Sequence, residues 1–323
     1  MFRVLCLTAI LLLTSVASIA QSQTITIRVA FVGFAPAKPN DRSSAVESTF
    51  AEALARDERV VMLDQSMVRA ALAGIGYDGS INLSTDEARS LSAAIGCDFL
   101  IIGKSEALAR SERERESHQE TYAGVLIVEA RSGALAMFDF ISENAATPAS
   151  AELALINRLT ARAPVYVERM IERRLSIQTP PRYFIEEIED LPDPDSPRAT
   201  GFKPPEFLNR VKPEYSSAAE QADITATVEA RVVFHSNGEI GQVHITRWAG
   251  FGLDESAEHA ISQLKFKPAT RDGKPVSARA LIRYNFRRLN EPTMKIEQPP
   301  DQKPPDKPVR DLRELFKPTY RRP

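Results

Sequence analysis

The sequence has few of the residue types that mark disulfide-bonded, metal-binding or strongly charged proteins. Its 323 residues include 2 cysteines and 4 histidines, and 41 basic side chains nearly balance 43 acidic ones. The histidines and cysteines do not have the spacing of a zinc site, and no basic stretch of domain size indicates binding to nucleic acid. We therefore expect no metal, no cofactor and no nucleic-acid partner.

Sequence motifs of common enzyme classes are also missing. The chain contains neither a Gly-x-x-x-x-Gly-Lys-Ser/Thr phosphate loop nor a Gly-x-Ser-x-Gly nucleophile motif. The glycines between Gly74 and Gly79 are not followed by a suitably placed helix. The acidic pairs Glu186-Glu187 and Glu189-Asp190 lie in a proline-flanked segment, where solvated charge is the usual explanation. We predict that the protein is not an enzyme and has no catalytic residues.

The N-terminus has the features of an export signal. Arg3 precedes the apolar run Val4 to Leu13, and Ser18-Ile19-Ala20 places small residues where a signal peptidase cleaves. The apolar stretch of about 16 residues is shorter than the roughly 20 that span a bilayer comfortably. We predict a signal peptide over residues 1–20 and a periplasmic mature protein, with retention as an inner-membrane anchor as the alternative.

Cysteine usage agrees with a chain that has no disulfide. Cleavage of the signal peptide would remove Cys6 and leave Cys97 as the one remaining cysteine. An intramolecular disulfide would then be impossible, although the expected compartment is oxidising. Because Cys97 precedes a buried apolar strand, we expect a packed, unreactive thiol.

The prolines divide the chain. Of 22 prolines, 7 lie in residues 176–205 and 8 in residues 290–323. Such clusters are typical of linkers and tails. We predict a Pro-rich acidic linker over residues 176–202, acting as a tether, and a Pro-rich disordered tail over residues 289–323. Two folded domains remain, at residues 24–175 and 203–288.

The first domain has the alternating strands and helices of an α/β fold. Predicted strands cover residues 25–34, 60–63, 98–103, 122–131 and 134–143. Predicted helices cover residues 43–56, 65–72, 84–95 and 149–175, the third opened by a Ser84–Glu87 capping box and the last interrupted or kinked at Pro164. The polar residues 110–120 are expected to form an exposed connection.

The passage Ala94-Ile95-Gly96-Cys97-Asp98-Phe99, which continues into an apolar strand ending at Gly103, resembles a recurrent feature of one group of periplasmic domains. That group contains the TolB N-terminal domain, the CsgG-type curli secretion family and the LpoB-type lipoproteins. The resemblance implies a TolB/CsgG-like α/β domain over residues 24–175 and carries no catalytic chemistry.

The second domain is predicted to be a small α+β unit. A strand over residues 228–234 turns at Ser236-Asn237-Gly238 into a strand over residues 240–247. A helix follows from Leu253, and a last strand extends from Val276 to Phe286. Trp248, at the end of the second strand, is either a core residue or part of a contact surface.

Residues 203–288 resemble the C-terminal domain of TonB-type energy transducers. The motifs that carry the resemblance are Val211-Lys212-Pro213-Glu214-Tyr215, Phe266-Lys267-Pro268-Ala269 and Gly273-Lys274-Pro275-Val276. Ser216 stands where the family's opening motif has a second proline. The resemblance implies a two-layer fold in which helices cap one face of a small sheet.

The resemblance also implies a binding mode. The edge of the last strand would receive a short extended segment of an outer-membrane receptor or another envelope protein, because an edge strand offers unpaired backbone groups. The predicted partner-binding residues are Val276, Ser277, Arg279, Leu281, Arg283 and Asn285. Backbone bonds would supply affinity, and outward-facing side chains would supply selectivity. The alternative is that these side chains form only a solvated sheet face.

The sequence therefore favours a periplasmic two-domain adaptor that binds an envelope protein by strand addition. One alternative is a membrane-anchored TonB energy transducer, which would contact an inner-membrane motor complex only if the N-terminal segment stays uncleaved. The apolar run has no ionisable residue for proton coupling, and the spacer is short, so force transmission is doubtful. Another alternative is a structural envelope-assembly protein whose α/β domain forms a homo-oligomer.

Overall fold

A computed structural model describes residues 25–36, 44–110, 118–176 and 188–288. The predicted signal peptide and the predicted C-terminal tail lie outside the described residues. The described residues have mixed α/β structure with several sheets. In the part of the chain that is described, no helix is both long enough and apolar enough to cross a membrane.

The N-terminal region is built on a five-stranded sheet with the order β2-β1-β3-β4-β5. Its strands are β1 (Ile27–Pro36), β2 (Val60–Met62), β3 (Phe99–Arg110), β4 (His118–Glu129) and β5 (Leu135–Ala145). Strand β1 runs parallel to β2 and β3, whereas β3, β4 and β5 are antiparallel. The helices are α1 (Ser44–Ala55), α2 (Gln65–Gly74), α3 (Thr85–Ile95) and α4 (Pro148–Ser176).

Local sequence signals explain where the helices begin and end. The Ser84 and Glu87 side chains form the predicted capping box at the start of α3. Gly96 ends that helix with a left-handed φ of 80°, which glycine adopts without a steric penalty. Helix α4 continues through Pro164 to Ser176, so the predicted interruption of the helix is wrong.

Strands β3 and β4 are longer than predicted. They pair over 12 residues each, from Phe99↔Glu129 to Arg110↔His118, so the prediction of an exposed connection over residues 110–120 is wrong at both ends. The buried carboxylate of Glu120 accepts a hydrogen bond from Ser142 Oγ at 2.9 Å, and Tyr122 donates to Glu106 at 2.8 Å. Buried polar groups with such partners can lie inside a sheet.

Both faces of this sheet are covered. One face packs against α1 and α4, with Phe31, Phe99 and Ile101 among its buried residues. The opposite face, which includes Leu100 and Ile102, packs against α2, α3 and the C-terminal region. Consecutive apolar residues such as those of β3 are typical of a strand buried on both sides.

The C-terminal region contains a four-stranded sheet with the order β10-β9-β14-β6, and two smaller sheets. Its elements are β6 (Glu189–Asp190), β7 (Phe202–Lys203), β8 (Glu206–Phe207), α5 (Ser217–Gln221), β9 (Ala226–Phe234), β10 (Ile240–Arg247), α6 (Leu253–Ser262), β11 (Phe266–Lys267), β12 (Ala269–Arg271), β13 (Lys274–Val276) and β14 (Ala278–Phe286). A short 3-10 helix covers Pro197–Ala199. Strand β9 is antiparallel to both β10 and β14.

The two regions share one hydrophobic core. Leu100 and Leu126 of the first sheet belong to the same buried cluster as Trp248, Phe251 and Phe286 of the C-terminal region. The described residues up to Arg288 accordingly fall within one compact unit. The sequence predicted two domains but did not predict that they would bury their surfaces against each other.

The loop between β10 and α6 makes the central contact of this junction. Phe251 is fully buried, with its ring centroid 4.9 Å from that of Phe138 and 6.0 Å from that of Phe140. Strand β4 leaves room for the Phe251 ring because Gly124 has no side chain. A Cβ added there would lie only 2.5 Å from Phe251 Cζ. The Trp248 indole N–H donates to Gly133 O at 2.9 Å, which places this side chain in the core.

Polar contacts fix the same junction. The Asn82 side-chain amide donates to Thr227 O at 2.9 Å and to Trp248 O at 2.7 Å, and its Oδ1 accepts from Thr227 N at 2.9 Å. Buried Asp254 accepts hydrogen bonds from Ala249 N at 2.9 Å and Gly250 N at 2.7 Å. These bonds satisfy backbone groups that burial would otherwise leave without water.

The described part of the predicted linker is not a free tether. Residues 188–202 contribute β6 and the 3-10 helix, and Arg271 donates to the backbone oxygen of Arg198 at 3.1 Å. The prediction of an extended spacer is therefore wrong for these residues, which pack against the C-terminal region through β6 and the Arg198 contact. Residues 177–187 lie outside the described part of the chain.

Candidate functional site

Strand β14 is paired along its whole length on one side and along only part of its length on the other. Strand β9 pairs with it from Ala278↔Phe234 to Phe286↔Ala226. On the other side, Glu189 and Asp190 of β6 pair with Ala278 and Arg279. Among the described residues, no strand pairs with the remainder of this side, Leu281–Phe286, which we call the open edge.

The hydrogen bonds to β6 show which backbone groups point outward. Glu189 N donates to Ser277 O at 3.0 Å, and Leu191 N donates to Arg279 O at 3.3 Å. Because alternate residues of a strand direct their backbone groups to the same side, Leu281, Arg283 and Asn285 present N–H and C=O groups at the open edge. These three residues belong to the predicted binding set.

The side chains of the same residues lie on the exposed face of the sheet. Arg279 is half-buried and donates to Asp190 at 3.0 Å, while exposed Arg283 donates to Glu229 at 2.8 Å. Leu281 is 38% exposed, and Asn285 Oδ1 accepts from Thr227 Oγ1 at 2.9 Å. Four of the six predicted residues therefore form one row on this face, and three of them, Leu281, Arg283 and Asn285, are exposed.

The other two predicted residues lie elsewhere. Val276 belongs to β13, where it pairs with Ala269, so the last strand does not begin at Val276 as predicted. Ser277 is 5% exposed, and its Oγ accepts a hydrogen bond from Ser236 N at 3.0 Å. The prediction that the Ser277 side chain faces outward is wrong, because Ser277 lies between β13 and β14 and its side chain is buried against Ser236. Only its backbone oxygen contributes at this edge, by accepting from Glu189.

The strand β6 that occupies the start of the edge is acidic and is held by arginines. Arg271 donates to both carboxylate oxygens of Glu189, at 2.8 and 3.1 Å from Nε, and these bonds lower the pKa of Glu189. Asp190 makes the ion pair with Arg279. Among the described residues, Leu191 N donates the last backbone bond from this segment to β14, and Pro192 comes next in the chain. The sequence predicted this acidic segment to be part of the linker and gave no sign of its pairing with β14.

The basic character of the exposed sheet face was also missed. Arg231 of β9 lies opposite Leu281 in the strand register, so its exposed side chain is on the same face as Arg279 and Arg283. The alternation of Arg231 with the buried Ala230 and Val232 was visible in the sequence, but its neighbours across the sheet were not.

The described residues do not form an alternative site with metal or thiol chemistry. Within the described ranges, no group of three or more His, Cys, Asp or Glu residues is placed to hold a metal ion. Burial raises the pKa of the Cys97 thiol to about 11, which keeps it protonated and unreactive near neutral pH.

The comparison with protein families identifies the region that contains this edge. Residues 211–287 match the family described as the Gram-negative bacterial TonB protein C-terminal. The resemblance predicted from the motifs of the second domain is thereby confirmed, and the matched residues include all of β14. No curated protein matches the chain.

Solved structures similar to parts of the chain come from several bacteria. The TonB C-terminal domain of Pseudomonas aeruginosa is 19% identical, covers 33% of this chain and 99% of its own, and has a TM-score of 0.25. A lipoprotein of Neisseria meningitidis is 11% identical, with 44% and 98% coverage and a TM-score of 0.33. The LpoB C-terminal domain of Salmonella enterica is 10% identical, with 38% and 86% coverage and a TM-score of 0.27. At these scores, the TolB/CsgG-like character of the N-terminal region stays a prediction.

Proposed function

We propose that the protein is an exported envelope protein that binds a partner protein by adding an extended segment of the partner to the open edge of β14. The observation that carries the proposal is the partial occupation of this edge. The chain's own β6 already pairs with Ala278 and Arg279, and this pairing ends at Asp190 while β14 continues to Phe286. Backbone groups beyond that point are available for a further strand.

The family match supports the same conclusion. A TonB C-terminal region belongs to the Gram-negative envelope, and the matched residues 211–287 contain the whole open edge. Together with the export signal predicted at residues 1–20, this match supports a periplasmic location for the mature chain. The partner would be an outer-membrane receptor or another envelope protein with an accessible extended segment.

The experiment tests the backbone of the open edge separately from its side chains. The tagged mature chain, Leu281→Pro and Leu281→Ala are each cross-linked in the periplasm of an expressing Gram-negative strain, and the captured proteins are identified by mass spectrometry. Proline removes the N–H at position 281, whereas alanine keeps the N–H and removes only the side chain. Thermal unfolding of all three proteins verifies that each is folded.

We expect Leu281→Ala to retain the partners of the unaltered protein and Leu281→Pro to lose them. A difference between these two variants supports strand addition, because they differ in the backbone donor at one position. Recovery of the same partners in equal yield from folded Leu281→Pro would refute the proposed function.

A further inference from the structure

We infer that the open edge is selective for an acidic extended peptide, a segment whose carboxylates alternate with apolar or small residues. This inference rests on the proposed function, since it names the chemistry of the segment that β14 receives. Two observations lead to it: the composition of the strand already present on the edge, and the charge of the exposed sheet face beside it.

The chain's own β6 shows which chemistry this edge accepts. Its two residues, Glu189 and Asp190, are both acidic, and each carboxylate has an arginine partner. Asp190 pairs with Arg279 across the strand register, on the exposed face, while Glu189 faces Arg271. A strand added to β14 is thus held by backbone bonds together with charge-assisted bonds to arginine.

The exposed face beside the open edge continues the same pattern. Arg279 and Arg283 are four residues apart on β14, and exposed Arg287 follows four residues later, just beyond the strand. Arg231 extends this row onto β9, opposite Leu281, and makes no ion pair among the described residues. We call the four side chains, Arg231, Arg279, Arg283 and Arg287, the arginine row.

The acidic side chain nearest to the arginine row, that of Glu229, is already paired with an arginine. Glu229 pairs with Arg283 at 2.7 Å, and its side chain is only 18% exposed. Asp190 neutralises Arg279 in a similar way. Arg287, just beyond β14, and Arg231, one strand in from the open edge, therefore leave net positive charge on the exposed face, and carboxylates of an added strand would be attracted to it. Leu281, between these charges, would contact a small or apolar side chain.

The test uses synthetic peptides and the complete mature chain. Fluorescence anisotropy measures the binding of an octapeptide that alternates glutamate with valine, a matched peptide with lysine in place of glutamate, and the glutamate peptide with its central amides N-methylated. The protein variants are Leu281→Pro, Arg231→Glu and, as a matched charge reversal in the other region, Arg56→Glu at the exposed arginine that directly follows α1.

We expect the glutamate peptide to bind at least about tenfold more tightly than the lysine peptide at low salt. Arg231→Glu weakens its binding about three- to tenfold, in line with one reversed surface charge, while Arg56→Glu leaves it unchanged. N-methylation or Leu281→Pro abolishes binding, and raising the salt concentration reduces the preference for glutamate.

Each other result overturns the inference in a recognisable way. Equal affinity for both peptides, lost in Leu281→Pro, would refute the acidic preference and leave strand addition intact. A glutamate preference that survives N-methylation and Leu281→Pro would show charge attraction without strand pairing, which contradicts the proposed function as well. Absence of binding at millimolar peptide would refute an acidic occupant of the open edge.

Discussion

Replacing Phe251 by alanine tests whether the two regions of the chain depend on one shared core. Phe251 is fully buried between the aromatic rings of Phe138 and Phe140 and lies directly over Gly124. Truncation of a buried phenylalanine costs about 3–5 kcal/mol when the surroundings cannot collapse into the cavity. Alanine would keep the left-handed backbone of residue 251, whose φ is 54°, so no strain is relieved to offset the loss.

Chemical unfolding provides the assay, with two spectroscopic probes. Fluorescence of the single tryptophan, Trp248, reports on the junction, while far-ultraviolet circular dichroism reports on all helices and strands. We expect one transition, coincident for both probes, because the shared core couples the regions. Phe251→Ala should lower the unfolding free energy by about 4 kcal/mol, a large part of the 5–15 kcal/mol typical of folded proteins. The control Leu208→Ala, at a side chain that is 58% exposed, should change it by less than about 0.5 kcal/mol.

A double-mutant cycle assigns the effect to the junction itself. Gly124→Ala places a Cβ 2.5 Å from Phe251 Cζ, and the overpacking should cost about 1–3 kcal/mol. In the Phe251→Ala background the clash disappears, so the double variant should be more stable than the sum of the single effects predicts. Strictly additive effects, a loss below about 1 kcal/mol for Phe251→Ala, or a fluorescence transition well separated from the circular dichroism transition would refute the shared core.

Two further predictions concern buried ionisable groups. Burial, together with the nearby Glu255 and Glu258, raises the pKa of Asp254 to about 7, above the 3.8 of an unfolded aspartate. Between about pH 4 and pH 7, the native state therefore keeps the Asp254 proton, whereas the unfolded chain releases it. The stabilisation from protonated Asp254 is complete below about pH 4 and is lost as the pH rises through about 7. In urea unfolding, the unfolding free energy of the unaltered protein should decline on the order of a few kcal/mol over this pH range, and that of Asp254→Asn should not. Parallel pH profiles of the two proteins would contradict the prediction. Burial of Cys97, whose thiol pKa is raised to about 11, should make labelling with a thiol reagent at pH 8 at least about a hundredfold slower in the native protein than in urea, and equal rates would show that the thiol is accessible.

Local signals predicted the elements whose causes lie within a few residues. The capping box at Ser84 and the left-handed Gly96 define α3, and both motifs are complete in the sequence. The turn at Ser236-Asn237-Gly238 similarly places β9 and β10 next to each other. Hydrogen bonds within a turn or a cap depend on neighbouring residues, so one sequence is sufficient to predict them.

The elements that were missed depend on partners far away in the chain. Strands β3 and β4 were predicted too short because Glu106 and Glu120 look like loop residues until their partners Tyr122 and Ser142 are placed. The junction is of the same kind, since Asn82 bonds to Thr227 across 145 residues of sequence. No periodicity or composition reports such contacts, because they arise only when the complete fold brings the groups together.

The part of the candidate site that depends on local alternation was predicted, and the part that depends on distant pairing was not. The period of two along β14 correctly placed Arg279, Leu281, Arg283 and Asn285 on one face. Ser277 was assigned to that face by extending the alternation through residues 276 and 277, where the structure has a break between two strands. The occupation of the edge by β6 could not be predicted, because a strand of two residues has no periodicity of its own.

The shared core changes what binding at the open edge would do to the rest of the chain. Phe286, at the end of β14, lies in the core that also contains Leu126 of the first sheet. Asn285 is connected to that sheet's region through Thr227 and Asn82, by hydrogen bonds of 2.9 Å at each step. A partner strand on β14 would therefore be held at a fixed position relative to the N-terminal region, with no flexible spacer between them in the described residues.

Binding at the open edge should stabilise both regions. A ligand that binds only the native state raises the unfolding free energy of the whole cooperative unit, by about 2.7 kcal/mol at a free concentration of one hundred times Kd. Since the regions share a core, a bound peptide should slow the amide exchange of α4 and β1, in the N-terminal region, as well as that of the edge. Under conditions where exchange occurs by global unfolding, protection confined to β14 would show that the two regions open independently, and the binding region would then act alone.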